Sequence, residues 1–213
     1  MNAHTHTAIA ISRQMGSGGS YVGYLLAQEL GYKYVDREIL RQAAKHLGKD
    51  VSWLENYDGK SSGIIANLLK AFCFGAPEIL GTQIELPVYD RDLFTLESRI
   101  MNDIAGSYNA VIIGRGGFRA LKDHPRMLRV FIHAPLEFRA ERLMKAQRLT
   151  DTRKALAMVR DSDQQRARFL RDMVGIDWTD ATNYHLCIDT SLVSFSASVN
   201  MLRKLVEMLP EEQ

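Results

Sequence analysis

The strongest constraint on this chain lies near its start. A short apolar run, Ala8 to Ile11, leads into a glycine-rich turn containing Gly16, Gly18 and Gly19. Behind the turn, Val22, Leu25, Leu26 and Leu30 recur at the spacing of one helix face, and Gly31 stands where a terminating glycine would. Strand, glycine turn and helix in that order make a phosphate cradle. Glycines let the backbone turn tightly, so amide N–H groups at the helix N-terminus can converge on one anion, helped by the helix dipole. The signature G-x-x-x-x-G-K-[ST] is matched only in part. Arg13 takes the place of its first glycine, Gly18 of the second, Gly19 of the lysine and Ser20 of the hydroxyl residue. Taken alone, the stretch also fits a glycine-rich turn with no ligand.

At 213 residues the chain suits one α/β domain with an inserted or mobile subdomain. A net charge of +2 carries no global signal for a nucleic acid polymer or an anionic membrane. Basic residues do cluster between Glu137 and Asp172, with ten Lys/Arg against six Asp/Glu. Cys73 and Cys187 are too few and too far apart for a disulfide framework, the first seven residues lack a signal-peptide apolar core, and Lys70, Pro77 and Glu78 interrupt the apolar stretch 64–81. A soluble protein of the cytoplasm is expected.

Further along, Tyr32–Val35 reads as a second strand, and Asp36 as the cap of a helix carrying Ile39, Leu40, Ala43, Ala44 and Leu47. Asp36 and Arg37 then sit at the C-terminal edge of a parallel sheet, where ligands bind; a helix cap and a surface arginine explain the pair equally well. Residues 49–92 are irregular and read as an insertion that either folds over a substrate or forms an interface, which leaves a homo-oligomer open. Leu93 to Ile104 mark a helix, Ala110–Ile113 a buried strand, and Gly114 to Gly117 a second glycine turn at a strand end. Its Arg115 is well placed to grip a phosphate. Leu128–Ile132, a helix from Pro135 to about Gln147, a basic stretch, the strand His185–Ile188 and a helix over Ser194–Leu209 complete the pattern. Within the basic stretch, Asp163 and Arg166 share one helix side beside Phe169. Five strands alternating with helices predict a three-layer fold with a five-stranded parallel sheet.

In combination, ISRQMGSGG, YKYVDREIL, VIIGRGG, LRVFIHAPLEFRAERL, DSDQQRARF with IDW, and YHLCIDTS resemble the cytidylate kinase-like group of P-loop kinases, over roughly Ala8 to Val206. The resemblance implies a core (8–48, 93–147, 185–209), a nucleoside-monophosphate-binding region (49–92) and an arginine-rich helical lid (148–184). It implies that Arg13 to Ser20, with Gly16, Ser17, Gly18, Gly19 and the adjoining Tyr21, hold ATP phosphates, and that Asp189 and Thr190 lie near the donor base. It places Asp36, Arg37, Arg115 and Asp163 at the acceptor, and gives Arg13, Arg115, Arg160 and Arg166 the catalytic charge. From position alone, Ser20 and, through water, Asp36 would hold Mg²⁺. Two departures stand out: the lysine position is Gly19, and Gly116 replaces an aspartate that follows the arginine in cytidylate kinases. The expected activity is ATP-dependent phosphoryl transfer to a CMP-like monophosphate. The alternatives are a nucleotide-binding module without catalysis and a kinase for a non-nucleotide metabolite.

Overall fold

The computed structural model describes residues 6–36 and 91–210. Within them five strands form one sheet: β1 (Ala8–Arg13), β2 (Lys33–Val35), β3 (Ala110–Ile113), β4 (Met127–His133) and β5 (Leu186–Asp189). Their order is β2-β3-β1-β4-β5, and every pairing is parallel. The described helices are α1 (Gly19–Leu30), α2 (Arg91–Ser107), α3 (Gly117–Ala120), α4 (Leu136–Gln147), α5 (Thr152–Val174) and α6 (Phe195–Glu207). The sequence pattern and the structure agree on all five strands. Arg37, the helix expected after Asp36 and most of the 49–92 insertion lie outside the described residues.

Alternation along β1 explains the layering. Successive side chains of a strand point to opposite faces. Ile9 and Ile11 therefore join Val22 and Leu26 of α1 and Val199, Leu202 and Val206 of α6 in one apolar layer. Ala8 and Ala10 face the other way, where their small side chains leave room for Met101 and Ile104 of α2, Phe118 of α3 and Phe131 of β4. The chain thus sends α1 to one face after β1 and α3 to the other face after β3. This is the topological switch point, and in open parallel sheets the ligand crevice opens there, at the strands' C-terminal ends.

Helix α5 spans two apolar regions. Ala155 and Val159 pack with Ala140 and Leu143 of α4 and with Met15 of the glycine turn, while Phe169 and Leu170 enter the α2–α3 side of the core. Asp151 caps α5, accepting from the amides of Arg153 and Lys154 at 2.9 and 3.1 Å. Beyond it, Trp178 and Tyr184 are buried and pack on Phe131, and the Tyr184 hydroxyl donates to the Trp178 carbonyl at 2.7 Å. Burial pushes the Tyr184 phenol up to about 12, so it serves as a neutral donor. Most of the stretch expected to be a lid is thus seated on the core.

Gly23 sets how closely α1 lies on the sheet. A Cβ there would stand 2.5 Å from Ile113 Cδ1 and 3.1 Å from Ile11 Cδ1. Gly23→Val should lower stability by about 1–3 kcal/mol through overpacking, measured by urea unfolding; an unchanged midpoint would show that the helix can lift off freely.

Candidate functional site

The turn between β1 and α1 is held from behind. The Gln14 carbonyl accepts from the Ser17 hydroxyl (2.8 Å) and amide (3.2 Å). The Met15 carbonyl accepts from Arg139 Nη1 at 3.1 Å. Arg142 Nη1 donates to the carbonyls of Gly16 (3.4 Å) and Ser17 (2.8 Å), and Thr190 Oγ1 donates to Ser17 at 2.6 Å. A trans peptide is planar, with its C=O and N–H on opposite sides. Pulling the Met15 and Ser17 carbonyls outward therefore turns the Gly16 and Gly18 amides inward. Among the described residues no acceptor takes the amides of Gly16, Gly18, Ser20 or Tyr21. Gathered at the N-terminus of α1, they form a nest for an anion.

Gly16 and Gly18 both need left-handed backbone, at φ 78° and 80°. A Cβ on Gly16 would also stand 2.6 Å from the Arg139 carbonyl oxygen, and one on Gly18 would overlap the Phe195 ring. Gly19 is required for another reason. Its missing Cβ would stand 2.5 Å from Arg13 Cβ and 3.1 Å from Ile132 Cβ. Arg13 donates from Nε to Ser20 Oγ at 3.2 Å, and its guanidinium lies against Gly114, where a Cβ would overlap Nη1. The side chain of Arg13 thus runs from the nest across the crevice to the second glycine turn. A lysine at position 19 and an arginine at position 13 exclude one another.

On the α4 side, Arg142 is sandwiched between Phe138 and Phe195, 4.7 Å from each ring centroid, and Phe195 meets Tyr21 edge-on. Burial pushes its guanidinium below the ordinary arginine value, but a group starting so high stays charged. Thr190 touches the loop directly. Asp189 instead accepts from the Ser191 amide (2.8 Å) and hydroxyl (2.7 Å), and the hydroxyl bond above all holds its carboxyl below the usual range.

The second glycine turn is tighter than the sequence suggests. Gly114, Arg115 and Gly116 are all left-handed, at φ 73°, 50° and 69°. Arg115 is not open to the crevice. Its side chain is only 8% exposed, donates from Nε and Nη2 to the buried Glu97 Oε2, and lies 4.6 Å over the Phe169 ring. The expectation that Arg115 grips an acceptor phosphate meets a fork already filled by a carboxylate. A side chain at position 116 also has no room: a Cβ there would press on Leu170 (3.2 Å) and Phe94 (3.3 Å) at a backbone angle that disfavours side chains.

Asp36 is half-buried at the end of β2, Arg160 is exposed on α5, and Arg166 pairs with Asp163 at 3.5 Å. Asp163 itself reaches the β1–α1 loop, accepting from the Met15 amide at 3.3 Å and from Arg139 at 2.7 Å. Glu97, Arg139 and Arg142 escaped the sequence reading. Glu97 does carry a signal, since it stands among Leu93, Ile100, Met101 and Ile104 on an apolar helix face, where a charge needs a partner.

The sequence model of the cytidylate kinase-like family matches residues 8–192. The chain belongs to that family. It is 27% identical over 205 residues to a cytidylate kinase of Pyrococcus abyssi, covering 96% of both chains. It is 29% identical over 184 residues to the cytidylate kinase of Pyrococcus furiosus, covering 86% of this chain and 79% of that enzyme. An uncharacterized protein from Eubacterium ventriosum shares the fold at a TM-score of 0.70 and 22% identity, covering 95% of this chain and 99% of that one. A shikimate kinase from Bacteroides thetaiotaomicron shares it at 0.52 and 16% identity, covering 94% and 98%. The cytidylate kinase-like fold accounts for the glycine loop at the sheet's switch point.

Removing one member of a buried ion pair strands the other. Arg115→Ala should therefore cost about 3–5 kcal/mol of folding stability, and Arg115→Met with Glu97→Met less than the single change. Denaturant unfolding checks this; an unaltered Arg115→Ala midpoint would mean that the guanidinium is free to serve a ligand.

Proposed function

We propose that the protein transfers the γ-phosphoryl group of ATP to a nucleoside monophosphate, CMP-like, or to a similarly small phosphorylated acceptor. The observation that carries this reading is the nest of inward-turned amides with Arg13 stretched beside it toward the β3 edge. Phosphoryl transfer asks the protein for positioning and charge rather than covalent chemistry. The amides of Gly16, Gly18, Ser20 and Tyr21 would hold donor phosphate oxygens. Arg13 would supply the positive charge that a lysine brings in the standard loop, reaching the transferred group from the opposite wall. An acceptor that is already a phosphate dianion needs no general base.

Mg²⁺ characteristically binds through one or two protein oxygens plus substrate phosphates, and the Ser20 hydroxyl at the mouth of the nest fits that role, with Asp36 at the β2 edge acting through water. The metal would neutralise charge on the transferring group. Arg160 and Arg166 on α5 would add charge from above. Such a kinase works where ATP is abundant, which favours the cytoplasm. The buried Glu97–Arg115 pair favours a second reading, a nucleotide-binding module without turnover, because it removes one expected acceptor group.

The test is ADP formation from Mg-ATP with CMP, dCMP, UMP, AMP and GMP supplied separately. Arg13→Ala should lower turnover by roughly 100-fold, the usual loss for one electrostatic donor. Arg13→Gly combined with Gly19→Lys should recover at least part of it, whereas Gly19→Lys alone should not. ATP-dependent thermal stabilisation without ADP from any acceptor would instead favour the binding module.

A further inference from the structure

The Met15 peptide groups are held from both sides by one ion pair. Asp163 Oδ1 accepts from the Met15 amide at 3.3 Å, while Oδ2 accepts from Arg139 Nη1 at 2.7 Å. The same Nη1 donates to the Met15 carbonyl at 3.1 Å, and Arg139 Nε is fixed by the Ala134 carbonyl at 2.7 Å. Arg139 is 4% exposed, so its placement is set by packing rather than by solvent. The Met15 side chain adds apolar contact with the α4–α5 cluster. Met15 C=O and Gly16 N–H belong to one peptide plane, so the grip on the carbonyl aims the Gly16 amide into the nest.

We infer that Arg139 and Asp163 are positioning residues for the donor-phosphate loop, and that Asp163 acts through Met15 rather than by touching the acceptor. The inference rests on the donor role given to the loop above. It also has a consequence for α5. That helix carries Arg160 and Arg166, and its Asp163 is its polar anchor on the loop. Seating α5 and setting the Gly16 amide are then one event, so the loop is fully shaped only when the arginine-bearing helix is in place.

Two measurements on wild type, Asp163→Ala, Asp163→Asn and Arg139→Lys test this. The first is amide hydrogen exchange at Met15 in the nucleotide-free protein. Asp163→Ala should speed it at least about ten-fold, the effect of losing one charge-assisted hydrogen bond, and Asp163→Asn, which keeps an acceptor oxygen, should speed it less. The second is calorimetric binding of ADP and of CMP. ADP affinity should fall about ten-fold in Asp163→Ala and Arg139→Lys, with CMP affinity within two-fold of wild type. Should Asp163→Ala fail to fold, Asp163→Asn and Arg139→Lys carry the same comparison. Unchanged Met15 exchange, or a loss confined to CMP, overturns the inference. If wild type binds neither nucleotide, the kinase reading fails, while Met15 exchange still decides whether the ion pair sets the loop.

Discussion

The structure turns on the orientation of a few peptide planes between β1 and α1. A peptide cannot aim its N–H inward unless its C=O points outward, and an outward C=O in a half-buried loop needs a donor. Arg139, Arg142 and Thr190 supply those donors to Met15, Gly16 and Ser17. Cations suit the task, because charge-assisted hydrogen bonds are the strong ones. The nest is therefore built by residues behind the loop as much as by its glycines.

Much of the surrounding architecture follows from that requirement. Helix α4 presents Arg139 and Arg142 at i and i+3, on the side that meets the loop. Phe138 and Phe195 cover both faces of Arg142 and keep its fork in one place. Asp163 balances Arg139 and brings α5 with it. Arg13 occupies the opposite wall and excludes any side chain at position 19. The missing lysine is thus not an isolated loss: the same volume is used by a cation that approaches from the strand instead of from the helix.

The fold was legible because period decides it. Ala110–Ile113 is an uninterrupted apolar run and is buried at all four positions, and the α1 and α2 faces repeat at helical spacing. The loop was legible as a glycine turn before a helix. Its supports were not legible as supports, because they come from far along the chain: Asp163 and Thr190 stood among the candidate site residues with other roles, and they lie 148 residues from Met15 and 173 from Ser17. No local pattern encodes such pairs. Arg115 meets the same limit. An arginine in a strand-end glycine turn reads as a ligand-gripping group, and its contacts with Glu97 and Phe169 come only from tertiary placement. Glu97 on an apolar helix face was the available clue.

The β3 turn is correspondingly different from the β1–α1 loop. Gly116 sits under Phe94 and Leu170, and Arg115 is committed to Glu97, so the β3 turn offers backbone and packing more than charge. The polar groups converge on the β1–α1 loop, and the donor site proposed there is the part of the account on which everything else rests. The most direct test is an amide-resolved NMR titration with Mg-ATP. Gly16, Gly18, Ser20 and Tyr21 should show the largest amide shifts and become protected from exchange. Shifts spread elsewhere, with those four amides unmoved, would contradict the nest as the phosphate site.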